Sequence, residues 1–183
     1  MSATAPAQTT TWNIDGVHSL VEISAKHMMF TTVKGRITGL KGTITTHGTD
    51  PAQSSVEAEL DAASITTGNE MRDNHMRSPD FLDVANYPTI TFKSTRVEPQ
   101  GEDRMRVTGD LTVRGNTKQV TLDATFNGQG KNPQGAEVAG FTAETSINRK
   151  EFGLNWNVAL ETGGVLLSDT FKVLIEIQAR KAE

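Results

Sequence analysis

Between Arg104 and Phe126 the chain alternates apolar and polar residues twice over, on either side of one tight turn. Met105, Val107, Gly109, Leu111 and Val113 share one parity, Arg114-Gly115-Asn116-Thr117 supplies the turn, and Val120, Leu122, Ala124 and Phe126 resume the alternation. A period of two places successive side chains on opposite faces of an extended strand, so the stretch predicts a β-hairpin with one buried face. The pattern recurs with Val21, Ile23 and Ala25 in Val17–Ala25, and in a long Thr- and Gly-rich strand over Val33–Thr46. It returns with Val56, Ala58 and Leu60 opposed to Glu57, Glu59 and Asp61, with Ile90 and Phe92, in Ala136–Ile147, and finally with Phe171, Val173, Ile175 and Ile177. About eight antiparallel strands result, and closing them into a barrel removes the exposed edges that an open sheet would leave.

At 183 residues the chain suits one such domain, and no composition shift divides it. We expect a disordered tail over residues 1–10 and a single domain over 11–181. A net charge of −4 without a basic block argues against nucleic acid as a partner. The absence of cysteine excludes disulfides, thiolate nucleophiles and zinc–sulfur sites. The opening MSATAPAQTT carries neither a basic leader nor an apolar run. The chain as written is therefore expected to be cytoplasmic, with a periplasmic or secreted location following if it is a mature form.

One stretch breaks the rhythm. Gly68–Ser94 opens with helical spacing and carries six charged residues between Glu70 and Asp83 before a strand resumes after Pro88. It predicts a short helical insertion around residues 69–83, charged outside and packed on the barrel through Met71, Met76, Phe81, Leu82, Val84 and Tyr87. Asp73 and Arg77, four apart, are expected to pair on the helix. A second irregular segment, Arg149–Ser168, is too apolar for a freely solvated connection, so it covers the barrel mouth or forms a homodimer contact.

The opening WNIDGVHSLVEISAKHMM, the central ITTGNEMRDNHMRSPDFLDVANYPTITFKS, the hairpin VTGDLTVRGNTKQVTL and the later RKEFGL together resemble the YceI-like family. The resemblance implies an all-β fold, a single antiparallel eight-stranded lipocalin-like barrel. It further implies an interior that holds a long amphiphile, a polyisoprenoid or an isoprenoid quinone, for binding, transport or storage. No separate cofactor is implied.

The residues agree with that reading on physical grounds. An eight-stranded barrel is just wide enough for one slender ligand, and Ala25, Ala58, Gly109 and Ala124 are small inward residues that leave space. A strand of about ten residues spans roughly 33 Å, the scale of several isoprene units. The expected ligand-contacting residues are Ile23, Met28, Met29, Phe30, Ile37, Met76, Phe81, Phe92, Leu111, Phe126, Phe141, Leu154 and Trp156, although inward aromatics at period two also build cores.

Metal and catalytic readings have less behind them. His18, His27, His47 and His75 form no HExxH or HxH pattern, and GxSxG, GxGxxG and P-loop motifs are absent. No metal site and no catalytic residue is expected. The rival readings are an enzyme acting on a small lipid or ester with His75 or His18 as base, and a stress-related interaction protein without a ligand. Lipid transfer would require transient membrane contact through apolar loops, since no amphipathic docking helix is evident.

Overall fold

A computed structural model describes residues 8–183. The first seven residues of the expected tail lie outside the described residues, and the first strand, β1 (Thr9–Ile14), starts within the remainder. The strands that follow are β2 (Leu20–His27), β3 (Thr31–Ile37), β4 (Lys41–His47) and β5 (Ser55–Asp61). After the helix α1 (Glu70–Arg77) come β6 (Thr89–Pro99), β7 (Arg104–Val113), β8 (Asn116–Lys131), β9 (Glu137–Asn148) and β10 (Thr170–Lys181). Their order around the sheet is β1-β4-β5-β6-β7-β8-β9-β10-β2-β3, and an additional β1–β10 pairing closes it.

The result is the expected closed antiparallel barrel of eight strands with one short helix. The ten segments reduce to eight because β1 and β2 follow each other along β10, which pairs Ala179 with Ile14 and Glu176 with Leu20. In the same way β3 pairs with β2 and β4 with β1, so β3 and β4 are two halves of one interrupted strand. The sequence pattern joins Val33–Thr46 in one strand and starts another at Val17. The structure instead breaks the first at Thr38–Leu40 and places Val17, 88% exposed, in a bulge. The cause is local: the Asp15 carboxylate accepts the Val17 amide at 3.0 Å and folds the chain outward. The two interruptions lie against each other, since a Cβ on Gly16 would stand 2.7 Å from the Leu40 carbonyl oxygen.

The β7–β8 hairpin follows the alternation closely. Val113 pairs with Asn116 across a two-residue loop, and both loop residues, Arg114 (φ 49°) and Gly115 (φ 70°), adopt the left-handed conformation that a tight hairpin turn requires. Inside the barrel, Val21, Ile37, Ile65, Leu82, Ile90 and Val113 pack in one buried cluster with Phe152 and Leu154. Trp12, Ile14, Leu40, Ile44, Phe141 and Ala179 form another.

The insertion fills the place where β3 has no neighbour beyond the break. Arg36 and Thr66 exchange backbone hydrogen bonds of 2.8 and 2.9 Å, attaching the segment to β3. Asn69 then caps α1 by accepting the Arg72 amide at 3.0 Å. The expected Asp73–Arg77 pair is not formed among the described residues. Asp73 is buried and accepts from the Thr67 amide (2.7 Å), the Thr67 hydroxyl (2.6 Å) and the Thr66 hydroxyl (3.2 Å). Arg77 donates to the carbonyls of Ala63 and Ile65, both at 2.8 Å. The reason is burial. A carboxylate taken out of water beside unpaired amides and hydroxyls gains more from binding them than from a solvent-screened ion pair on the helix surface.

Candidate functional site

Two cavities occupy the barrel axis. The inner one, about 220 Å³, runs from Leu82 and Leu154 beneath the insertion to Thr46 and Ser54 near the β4–β5 connection. Its wall comes from the inward parity of nearly every strand and is apolar apart from Thr46, Ser54, Ser55, Thr142 and Thr145. The mouth cavity, about 180 Å³, lies between the β2–β3 hairpin, the insertion and the segment preceding β10. Ile23, Ile65, Met76 and Phe171 border both.

Space in the inner cavity traces to small residues. Ala58, Ala124 and Ala143 line it, and Ala124 pairs directly with Ala143 across β8 and β9. Gly109 acts differently. A Cβ there would meet Phe92 Cζ at 2.6 Å and the Lys93 carbonyl oxygen at 2.5 Å, so the glycine lets the Phe92 ring lie flat across β7. An apolar cavity of about 150 Å³ stays dry and takes up apolar molecules, which sets the chemistry of this larger one: it favours hydrocarbon over water.

The mouth adds polar groups. Arg72 is held by Thr67, donating through Nε to the hydroxyl (2.7 Å) and through Nη2 to the carbonyl (3.0 Å). The His75 ring stands edge-on to Phe81 and Trp156, with centroids 5.0 and 4.6 Å apart, while Nε2 contacts Asp80 Oδ2 at 2.9 Å. His27 and Thr67 complete the polar lining. Burial pushes the Asp73 carboxyl up, but hydrogen bonds from Thr67 and Thr66 and the nearby Arg77 charge outweigh it and hold the group below the ordinary aspartate value. The carboxylate thus anchors Thr67, which in turn positions Arg72 at the mouth.

The segment before β10 covers the mouth, with Trp156, Leu166 and Leu167 facing the cavity. What fixes it is Arg149, which is 0% exposed. Its guanidinium donates to the carbonyls of Ser168 (2.9 Å), Trp156 (2.9 Å), Leu167 (3.4 Å) and Leu154. Burial lowers its proton affinity, and Asp169, 3.7 Å away, opposes that. Sequence reasoning passed over this residue because an arginine beside Lys150 and Glu151 reads as solvated. The signal available was the apolar run after it, which had to be tied down.

Of the expected contact residues, Ile37, Phe92, Leu111, Phe141 and Leu154 line the inner cavity. Phe81 and Trp156 line the mouth, and Ile23 and Met76 border both cavities. Phe126 lines neither; its ring packs on Phe141 with centroids 5.5 Å apart. Met28, Met29 and Phe30 also require correction. They form the tip of the β2–β3 hairpin and point to solvent rather than inward, because the turn leaves the barrel wall before reaching them.

The two histidines considered as bases sit at separate places. His18 Nδ1 contacts Asp15 Oδ2 at 2.9 Å, in the bulge between β1 and β2. Its neighbour Ser19 is buried, with its hydroxyl donating to the Gln178 carbonyl (3.2 Å) and accepting the Gln178 amide (3.0 Å). Both capacities of that hydroxyl serve the strand pairing. Among the described residues no group of three or more His, Asp or Glu side chains is placed to hold a metal ion.

Comparison with known proteins agrees with this geometry. Residues 12–179 match the YceI-like domain family. A UPF0312 protein of Pseudomonas putida (strain GB-1) is 41% identical over 140 residues, 76% of this chain and 73% of that protein. Among solved structures, BcnA of Burkholderia cenocepacia superposes with a TM-score of 0.79 at 24% identity, covering 90% of this chain and 98% of that one. A polyisoprenoid binding domain from Saccharophagus degradans superposes with a TM-score of 0.66 at 16% identity, covering 93% of this chain and 98% of that one. These two likenesses bear on the fold; the family match and the Pseudomonas relative carry the assignment. The chain belongs to the YceI-like domain family.

Proposed function

We propose that this protein binds a long isoprenoid lipid, a polyprenol or an isoprenoid quinone, with the tail in the inner cavity and the head group at the mouth, and that it carries or stores that lipid without catalysis. The observation behind the reading is the apolar cavity that runs from Thr46 to the insertion and meets a second cavity edged by Arg72, His75 and His27. Each buried methylene contributes about 0.8 kcal/mol, so a tail of about forty carbons nominally exceeds the practical affinity ceiling of about 20 kcal/mol. Ordering of the chain and its self-association reduce that sum, yet tail burial alone suffices for tight binding. The head group therefore contributes orientation more than affinity. Arg72 and the histidines are donors suited to a hydroxyl, a carbonyl or a phosphate oxygen.

The test is an organic extract of the purified protein analysed by mass spectrometry, paired with direct titration of the lipid-stripped protein by ubiquinone and by a polyprenol. A co-purified isoprenoid, or saturable binding of either probe, is expected. Absence of both contradicts the reading. His75→Ala is expected to retain lipid, whereas an enzyme using this base would lose turnover.

A further inference from the structure

The rim of the mouth carries large apolar side chains where neither the core nor the turn calls for them. Phe30 is 82% exposed, Met29 57% and Met28 42%, all at the tip of the β2–β3 hairpin. Met28 (φ 51°) and Met29 (φ 69°) adopt the left-handed conformation, which glycine or asparagine would adopt with less strain. The tip is locked to the mouth: the Met28 amide donates to the Leu166 carbonyl at 2.8 Å, and a Cβ on Gly164 would touch the Met29 side chain at 3.4 Å.

Charge surrounds this tip in an uneven way. On the outward parity of β2 and β10 stand Lys26 and Lys172, exposed and without a carboxylate partner among the described residues, while Lys34 is matched by Glu22 at 2.9 Å and Arg36, farther from the tip, lies across from the same Glu22. The whole chain carries −4, so this basic face runs against its overall sign. Protruding apolar side chains with bases behind them fit the interface of an anionic bilayer, where the former enter the acyl boundary and the latter meet head groups.

We propose that the β2–β3 tip docks this protein on anionic lipid bilayers, with the barrel mouth against the membrane. The proposal rests on the lipid-binding reading, and it supplies what that reading lacks: a path by which the tail moves between bilayer and barrel without crossing water.

The experiment is co-sedimentation of the full chain with vesicles of phosphatidylcholine containing phosphatidylglycerol, and with vesicles of phosphatidylcholine alone, at low and high salt. Wild type is expected to bind the anionic vesicles, less so as salt rises. Phe30→Asp is expected to weaken that binding by about tenfold or more, and Lys26→Glu to weaken it on anionic vesicles only. Phe30 lines neither cavity, so the circular dichroism of Phe30→Asp and its titration by ubiquinone in the absence of vesicles should match wild type. Wild type that carries isoprenoid yet ignores both vesicle types overturns the docking proposal and leaves the lipid-binding reading standing. Vesicle binding by a protein that never carries isoprenoid does the reverse. A concentration-dependent dimer abolished by Phe30→Asp, with no vesicle binding, assigns the tip to a second copy and also overturns docking.

Discussion

Replacing Ala143 with phenylalanine should empty the barrel of lipid without unfolding it. Ala143 faces the inner cavity from β9, between Ala124 on β8 and Ile175 on β10. The β8 partner Ala124 leaves room for a ring on one side, Ile175 packs against it on the other, and the cavity of about 220 Å³ lies in front of it. A phenyl group there takes the room of about six tail carbons, and at about 0.8 kcal/mol each the ligand loses about 5 kcal/mol, more than three powers of ten in affinity. The protein itself gains apolar burial worth about 1.5–3 kcal/mol and pays a similar cost if the ring crowds its neighbours. Its unfolding free energy should therefore stay within about 2 kcal/mol of wild type. Native mass spectrometry gives the bound lipid and urea denaturation gives the stability. The adjacent outward residue supplies the control, since Glu144→Phe should leave lipid content unchanged. A folded Ala143→Phe protein carrying lipid at the wild-type ratio would refute the placement of the tail.

Three further outcomes follow from other parts of the wall. Gly109→Ala should cost about 1–3 kcal/mol by urea denaturation and turn the Phe92 ring, because the added methyl meets Cζ at 2.6 Å and a backbone oxygen at 2.5 Å; a neutral effect would show that the ring is not constrained. Arg149→Met should destabilise by at least about 2 kcal/mol, since the carbonyls it binds are left unsatisfied, and limited proteolysis should then cut within residues 154–168 before the barrel. For Asp73, the folded carboxyl sits below its ordinary value, so its stabilising contribution is present above the unfolded value and lost as pH falls through the folded one. Asp73→Asn should lower stability at neutral pH by about 1–3 kcal/mol and flatten the acid limb of the stability profile; an unchanged limb in pH-dependent urea melts would place the acid sensitivity elsewhere.

What the sequence revealed, and what it hid, has a physical basis. Strand parity is a property of neighbouring residues, and it puts Ile23, Phe92 and Leu111 on the inward face, where they border the cavities. The Arg114-Gly115 turn was equally local, and β7 ends at Val113 where the alternation does. Parity fails where a strand leaves the wall. Met28, Met29 and Phe30 read as ligand-contacting because they are apolar, yet three-dimensional position relative to the turn decides exposure, and composition does not encode it. The Val17 bulge and the Thr38–Leu40 break depend on each other across adjacent strands, through Gly16 and Leu40, so neither is visible in its own segment. Asp73 and Arg77 read as a surface helix pair by residue type and spacing; each, like Arg149, is committed to backbone or hydroxyl partners that only the folded insertion and mouth segment bring near.

The central claim is that an isoprenoid tail lies along the barrel axis. A crystal structure of protein purified without any lipid-stripping step tests it most directly. The account predicts continuous tubular density beginning between Thr46 and Ser54, passing Phe92 and Leu111, and ending near Arg72 and His75. Side chains turned inward to close the cavity, or only discrete waters along it, would contradict the account.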